Sequence, residues 1–585
     1  MSRKPIVFDN LNDLPESVIS EGTMLWNKTG SWRYMRPAYQ RLTPACNNGC
    51  PAGNNIEAFI RLAEEGQFVD ALQVIKDENP LPGICGRVCF HPCETACNRK
   101  EYDHPIAISA IERFIAEEAS EAYKPNALCP STGKKIAVVG SGPASLSCAY
   151  HLARMGHGVM IFEKSDKPGG ILRYGIPQYR LPKEILDAEI EDIKALGVSI
   201  QCNTLVGKDI SWEDLDEYDA LFIGTGCHKE RPLFDVKKGV KGFYPSLTYL
   251  TMTARGETRE FGKTTAVIGG GNSAIDAART ALRLGSSVTV FYHRTRNEMP
   301  AFEEEIRDAE KEGVEFEFLI QPVDVGIKWG KVKELKLRKT KLGEPDESGR
   351  RRPEPILGSD FSFKADTVVA AIGETPDFDI LPETLKHDPW KVLTDDFGAT
   401  GQEKVFAGGD LACDEHNIAQ AIGSGKAGAC AIDAFLSGND INEMSEDICI
   451  GNTQRVSALK YLAVKGVVPA PHVQKDVVNY KDLNNAYFIR KSRVKREKLE
   501  LLKRAASFDE VCKTLSQKGA QSEAERCFHC GVCTLCDNCL KFCPDVSVIK
   551  KEDGTGYDID LDYCKGCGVC VNECPRAAMI MEEDI

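Results

Sequence analysis

Cys533, Cys536, Cys539 and Cys543, followed by Pro544, carry the spacing C-x2-C-x2-C-x3-C-P, and Cys564, Cys567, Cys570 and Cys574 repeat it ahead of Pro575. Thiolates at i, i+3 and i+6 can turn around one iron–sulfur cubane, and in this spacing the fourth cysteine of each run crosses to the other cluster. The pattern therefore predicts two [4Fe–4S] clusters. One would sit on Cys533, Cys536, Cys539 and Cys574, the other on Cys564, Cys567, Cys570 and Cys543. A zinc ribbon is the competing reading of CxxC pairs. Zinc needs two such pairs, not two copies of a four-cysteine run. The chemistry implied is one-electron transfer.

Two stretches in the middle of the chain have the pattern of dinucleotide sites. Lys135–Val139 (KIAVV) reads as a strand, Gly140-Ser-Gly142-Pro143-Ala144-Ser145 as a turn and LSCAYHLARMG as a helix; the next strand, HGVMIFE, ends at Glu163. Gly140 permits the tight turn, Gly142 lets backbone approach a pyrophosphate, and the helix N-terminus stabilises its charge. Glu163 stands where a carboxylate can accept ribose hydroxyls. Ser145 replaces the usual third glycine or alanine, a small-for-small change. The second unit runs Thr264–Ile268, then Gly269-Gly-Gly271-Asn272-Ser273-Ala274, then AIDAARTALRLG. Its following strand, SVTVFY, meets His293-Arg294-Thr295-Arg296 in place of an acid. Arg294 and Arg296 suit the 2′-phosphate of NADP better than the free hydroxyl of NAD; a solvated arginine loop is the plainer reading. Two sites in one chain point to FAD at the first and NADP or NAD at the second. Residues 404–410 (KVFAGGD) read as a strand and turn ahead of the helix IAQAIGSGKAGACAIDAFL. In flavoproteins with two dinucleotide domains such a turn places an aspartate near the flavin ribityl chain and the next helix points its N-terminus at the isoalloxazine, which would give those places to Gly409, Asp410, Gln420 and Ala421; an ordinary strand–turn–helix is the plainer reading. Turns at Gly224-Thr-Gly226 and Gly373 would link the nested domains.

The phrases CGRVC (85–89), GSGPAS (140–145), GGILRYGIPQYRLPKE (169–184), GGGNSAIDAAR (269–279), RNEMPA (296–301) and AGGD (407–410) carry a resemblance. Over roughly residues 40–440 the chain resembles the small subunit of bacterial glutamate synthase and the flavin half of dihydropyrimidine dehydrogenase. With its bacterial-ferredoxin-type runs it is similar to the stand-alone NAD(P)H:acceptor oxidoreductases of that family. One such relative serves dissimilatory sulfite reductase, and others serve 2-oxoacid:ferredoxin systems. The resemblance implies NAD(P)H, FAD, with Gly170 and Leu172 in the flavin site, and iron–sulfur clusters on one line of transfer.

Cys46, Cys50, Cys85, Cys89, Cys93 and Cys97 precede the first dinucleotide site, and the even spacing of the last four would set them along one side of a helix-like series of turns. Family members hold two [4Fe–4S] clusters in this segment. The resemblance assigns Cys50, Cys89 and Cys93 to the cluster nearer the flavin, with Glu112 as the completing side chain; a solvated Glu112 is the alternative. Family members also begin with a CxxC that this segment lacks. Cys527-x2-Cys530, in EAERCFHCG, resembles it. Cys46, Cys97, Cys527 and Cys530 are accordingly expected around a further cluster, within the chain or across a homodimer. An empty second site, or free thiols at Cys527 and Cys530, are the plainer outcomes.

The fold class expected is α/β: a helical iron–sulfur domain (1–128), two nested Rossmann-like domains for FAD (129–255 and 379–445) and NAD(P) (256–378), a linker (446–520) and a C-terminal α+β ferredoxin-like domain (521–585). The 585 residues, 42% hydrophobic and 27% charged, suit a globular protein of several domains. A net charge of −14 argues against nucleic acid. No run of about 18 apolar residues offers a membrane span, and the opening MSRKPIVFDNLNDLPES has no apolar signal region. Of the 24 cysteines, 16 bunch towards the two ends in metal-ligand spacings and eight are scattered as small core residues, which fits a reducing cytoplasm, in an anaerobic cell, better than a disulfide scaffold. Arg490, Lys491, Arg493, Lys495, Arg496, Lys498, Lys503 and Arg504 read as a basic helical stretch, either a solvated face or a dock for an acidic partner.

Three functions compete. The first is an NAD(P)H:acceptor (iron–sulfur protein) oxidoreductase passing electrons through FAD and clusters to a redox partner, a ferredoxin or an oxidoreductase complex. The second is an electron-wiring subunit of a glutamate synthase, sulfite reductase or 2-oxoacid oxidoreductase type of complex, with no substrate of its own. The third, a thiol–disulfide reductase, needs a CxxC beside the flavin, and Gly269–Ala274 and its flanks have none. No acid–base dyad or nucleophile is called for, because flavin converts hydride to single electrons.

Overall fold

The computed structural model describes residue 10 and residues 28–584, apart from 237–238, 259–260, 347–348 and 471–472. The opening stretch read above for a signal region lies, residue 10 apart, outside the described residues. The chain divides into two units: residues up to Leu42 with Lys481–Phe488 and from Cys530 onward, and Thr43–Tyr480 with Ile489–His529.

In the larger unit, the helices of seven residues or more described ahead of the first sheet are α1 (Ile56–Glu64), α2 (Phe68–Lys76), α3 (Pro82–Val88) and α4 (Ile108–Ala119). Apolar residues at i, i+3, i+4 and i+7 give α1 its buried stripe of Ile56, Phe59, Ile60 and Ala63. The single series of turns expected through Cys85, Cys89, Cys93 and Cys97 needs correction. Helix α3 stops at Val88, His91 turns left-handed at φ 52°, and a separate helical turn spans Pro92–Ala96. Pro92 has no N–H with which to prolong α3, and it disfavours the helical conformation at His91.

The dinucleotide patterns become strands and helices as read. They are β1 (Lys135–Val139), α5 (Pro143–Arg154), β2 (Gly158–Phe162), β3 (Ser199–Gln201), β4 (Ala220–Ile223), β5 (Phe243–Pro245), β6 (Thr264–Ile268), α6 (Asn272–Arg283), β7 (Ser287–Tyr292), α7 (Glu303–Glu312) and β8 (Glu315–Phe318). Next come β9 (Ile320–Lys328), β10 (Lys331–Pro345), β11 (Arg351–Lys364), β12 (Thr367–Ala370), β13 (Val405–Ala407) and α8 (Ile418–Leu436). One parallel sheet has the order β13-β4-β1-β2-β3, the other β8-β7-β6-β12-β5. Their central strands are buried at nearly every position, as sheets covered on both faces require. The second sheet takes in Phe243–Pro245 through pairing with Val368–Ala370, so it begins ahead of the boundary expected at 256. Strands β9, β10 and β11 form a separate antiparallel sheet that the sequence reading left undescribed.

The basic stretch also needs correction. Residues 489–500 are extended, with a helix only at α9 (Leu501–Ala506), and the segment runs as a strap across the larger unit. Arg493 pairs with Glu94, Arg496 with Glu304, Lys498 with Glu304 and Asp308, and Arg504 with Asp308. Arg496, Lys498 and Arg504 thus answer the acidic face of α7, while Lys491 and Lys503 pair at the surface with Glu525 and Asp509 and Lys495 is exposed.

In the smaller unit the two cysteine runs form a repeat of equal register. Helical turns at Asn538–Lys541 and Val569–Asn572 match, as do the strand starts at Val548 and Met579. Left-handed residues recur in step: Leu535 with Gly566, Asp537 with Gly568, Val546 with Ala577. Each repeat's strand has an antiparallel partner, Tyr557–Ile559 for Val548–Lys550 and Met35–Tyr39 for Met579–Glu583. That last pairing puts Met35–Tyr39 in the smaller unit and not in the helical domain expected over 1–128.

Candidate functional site

In the larger unit a cleft of about 770 Å³ opens over the C-terminal ends of β1 and β4. Gly140, Gly142, Pro143, Ala144, Glu163, Gly170, Leu172, Asn272, Ser273, Gly409, Asp410 and Ala421 line it. Gly140 has φ 91°, and a Cβ there would meet Gly224 O at 2.7 Å, so the turn itself demands glycine. Gly142 and Gly271 differ: a Cβ at either would find nothing within 4 Å. Packing does not require glycine at these two helix starts, whereas a pyrophosphate laid against the backbone would. The residues present therefore fit a dinucleotide at each site. Glu163 Oε2 accepts from Ser141 N (3.0 Å) and Oε1 from Ser165 N (2.7 Å), which fixes the carboxylate and leaves lone pairs for ribose hydroxyls. Asn417 caps α8 by accepting from Gln420 N at 2.9 Å.

Gly269, Gly271, Gly373, Gln420, Arg294 and Arg296 stand outside the lining of this cleft. Arg294 pairs with Asp346 (2.6 Å) and Arg296 with Glu303 (3.0 Å). Sequence reasoning missed Arg180, whose Nη1 donates to Asp276 Oδ2 at 2.7 Å, and His228 and His416, all in the lining. Burial pushes His228 down to about 4, so it faces the cleft uncharged at neutral pH. Arg180 lies inside the quoted phrase GIPQYRLPKE, the one signal that could have found it.

A second, smaller pocket gathers Cys50, Cys85, Cys89, Cys93 and Glu112 with Asn54, Asn79 and His91. Cys85 was not foreseen there; one helical turn before Cys89, it shares that residue's face. All five are buried. Burial pushes the Cys50 thiol up, the Cys85 and Cys93 thiols well up, and the Glu112 carboxyl to about 8. Glu112 Oε1 accepts from Asn54 Nδ2 (3.2 Å) and Asn79 Nδ2 (3.1 Å). Cys89 Sγ accepts from His91 N at 3.3 Å. Buried sulfurs met by backbone N–H donors are the donor set of an iron–sulfur site, so the residues fit a cluster.

Cys97 belongs to the core around this pocket, and Cys46 and Cys527 pack against that core. His529 is held between Glu57 (2.9 Å) and Glu64 (3.1 Å), Arg526 Nη2 donates to His104 O at 2.7 Å, and His529 N donates to Cys527 Sγ at 3.4 Å.

In the smaller unit the donors repeat with the fold. Ser547 N donates to Cys543 Sγ (3.2 Å) and Ala578 N to Cys574 Sγ (3.4 Å), four residues on in each run. Tyr39 Oη donates to Cys539 Sγ at 3.0 Å. Cys539 and Cys570 lie in the core, Cys533 and Cys567 are exposed, and burial pushes Cys570 up to about 12. Cys536 and Cys564 complete the two runs.

Two nested dinucleotide folds beside cysteine pockets define an NAD(P)H-oxidoreductase class that carries iron–sulfur domains. Residues 134–428 match the model of the pyridine nucleotide-disulphide oxidoreductases, 38–124 that of dihydropyrimidine dehydrogenase domain II, 4Fe-4S cluster, and 557–580 a 4Fe-4S binding domain. The glutamate synthase [NADPH] small chain of Escherichia coli is 34% identical over 67% of this chain and 89% of its own length. The NADP(+)-dependent formate dehydrogenase subunit beta of Moorella thermoacetica is 39% identical over 69% of this chain and 62% of its own. The NADPH-Fe(3+) oxidoreductase subunit beta of Geobacter sulfurreducens is 38% identical over 70% and 66%. The chain belongs to the pyridine nucleotide-disulphide oxidoreductase family, in the iron–sulfur branch that includes glutamate synthase small chains. It spans about two thirds of the length of the formate dehydrogenase and Fe(3+) oxidoreductase subunits. Among the described residues no helix is long and apolar enough to cross a membrane.

Proposed function

We propose that this chain transfers electrons between NADPH and a redox-protein partner through FAD and [4Fe–4S] clusters. One observation carries the proposal: the wall between the dinucleotide cleft and the cysteine pocket is a single residue thick. Val88 and Phe90 line the cleft while Cys89 and His91 line the pocket; Ile418 and Ala421 line the cleft while Ala419 lines the pocket. Neighbouring residues on one backbone thus face two sites. A flavin, when bound, takes electrons in pairs and gives them up singly. The chain's own residues bind and aim it: Gly140, Gly142 and the start of α5 for the pyrophosphate, Glu163 for ribose, Gly409 and Asp410 at the far end, with Phe90 and Ile418 excluding water. Cys50, Cys89, Cys93 and Glu112 would hold the nearer cluster, and the repeated runs two more. Arg294 and Arg296 are the cations offered to a 2′-phosphate, and the relatives named above carry NADP(+) or NADPH in their names.

Cys46, Cys97, Cys527 and Cys530 are proposed for a further cluster. A bond from Arg99, two residues past Cys97, to Arg526 O, next to Cys527, supports it for those two cysteines, Cys46 enters on the resemblance, and Cys530 enters on the CxxC spacing. The double substitution C527S/C530S should then lower iron by about four per chain; unchanged iron would refute this assignment. A ferredoxin or a larger oxidoreductase complex is the proposed partner, in a reducing cytoplasm, and a homodimer is an expectation of the sequence alone. Anaerobic mixing with NADPH and, separately, NADH tests the main reading. NADPH should bleach flavin absorbance and support dye reduction; no bleaching with either nucleotide would refute it.

A further inference from the structure

Helix α8 does more than present its first turn to the cleft. Gly423 and Lys426, three residues apart and so on one face, grip the turn Cys50-Pro51-Ala52-Gly53. A Cβ on Gly423 would lie 2.2 Å from Pro51 O, so helix backbone and turn backbone are in direct contact. Lys426 Nζ donates to Ala52 O at 2.7 Å, and Gly53 N closes the turn onto Cys50 O at 2.9 Å. Lys426 is fully buried. Its ammonium is balanced by Glu78, whose Oε2 accepts from it at 2.5 Å. Glu78 in turn accepts from the start of the helix Ala458–Val464: Ala458 N at 2.9 Å and Ser457 Oγ at 2.5 Å. A buried cation and a buried anion thus lie behind a cysteine proposed as a cluster ligand. An isolated charge there would be far too costly, and within the interior each acts over several ångströms with little screening.

We infer that Lys426 and Glu78 form a positioning pair that sets the reduction potential of the cluster on Cys50, Cys89 and Cys93 and fixes that cluster's spacing from the flavin cleft. The inference rests on the proposed function. Reduction adds one negative charge to a cluster. The Lys426 ammonium, which bonds the turn that carries Cys50, favours the reduced form, and the Glu78 carboxylate behind it disfavours that form.

The test is a potentiometric titration of the intact protein followed by electron paramagnetic resonance, the relevant signal being the one lost in C89S. K426M should shift that midpoint to more negative values, E78Q to more positive values, and K426M/E78Q should return towards wild type. K426R, which keeps the charge, should restore the wild-type midpoint and guards against a folding defect in K426M. Shifts of the same sign in K426M and E78Q, or none in either, would overturn the inference while leaving the cluster assignment standing. Absence of any C89S-sensitive signal in the wild type would overturn the cluster assignment and the inference with it.

Discussion

Asp308 is the point at which the strap can be unfastened. It lies on α7, is 3% exposed, and accepts from Lys498 Nζ at 2.7 Å and Arg504 Nη1 at 3.2 Å. Asp308→Asn removes the charge while keeping the shape. Breaking a buried ion pair by removing one partner costs about 3–5 kcal/mol. Lys498 keeps Glu304 at 2.7 Å, and Arg504 keeps only Glu312 at 3.9 Å, so the lower end, about 3 kcal/mol, applies. At about 1.4 kcal/mol per factor of ten, local opening of the strap should become about a hundredfold more frequent. The reporters are amides that close the strap: Leu499 N on Val511 O (2.9 Å), Val511 N on Tyr179 O (3.0 Å) and Lys513 N on Glu497 O (2.8 Å). Hydrogen exchange followed by mass spectrometry should show these amides speeding by that factor while β1 and α5 stay unchanged. In the wild type, raising salt to about 0.5 M should leave them unmoved, since buried pairs are poorly screened. Unchanged exchange in the variant, or salt-driven opening of the wild type, would refute the strap.

Three further outcomes are expected. Gly425→Ala would put a Cβ 2.0 Å from Ala144 O, where α8 crosses the start of α5; overpacking of about 1–3 kcal/mol or more should weaken flavin retention on gel filtration, and full retention would contradict the packing. Tyr39→Phe removes the Oη donor to Cys539 Sγ, so the midpoint of one ferredoxin-type cluster should fall; an unmoved midpoint would show that this bond does not tune it. Burial raises the Glu189 carboxyl to about 7, so the folded state holds its proton from about pH 4.5 to 7 while the unfolded state does not. Stability from this group is present below that window and lost as pH rises through it, by about 3 kcal/mol at most. Glu189→Gln should therefore flatten the dependence of melting temperature on pH between 5 and 7, and an unaltered slope would contradict the assignment.

The dinucleotide folds were legible because local patterns carry them. Apolar strands, glycine turns and helix starts sit within about thirty residues of one another, and Gly140, Gly142, Glu163 and Asp410 fall where their neighbours put them. The ferredoxin-type unit was legible from its doubled cysteine run. Its first strand partner was not, because Met35–Tyr39 pairs with residues more than 500 positions away. The partners of Arg496, Lys498 and Arg504 in the basic stretch were hidden for the same reason: Glu304 and Asp308 lie about 190 positions earlier. Composition shows the charges but not their partners. Cys85 was passed over because the resemblance assigned three other cysteines. The alternation in KVKELKLRKTKL, by contrast, was a readable strand signal left unused.

The account stands or falls on electrons crossing from the cleft to the Cys50, Cys89 and Cys93 pocket. The most direct measurement is anaerobic addition of NADPH to wild type and to C89S, freezing each, and recording electron paramagnetic resonance with flavin absorbance. The account predicts flavin bleaching in both proteins, with reduced-cluster signals formed promptly in wild type and strongly delayed in C89S. Equal cluster reduction in the two proteins would contradict it.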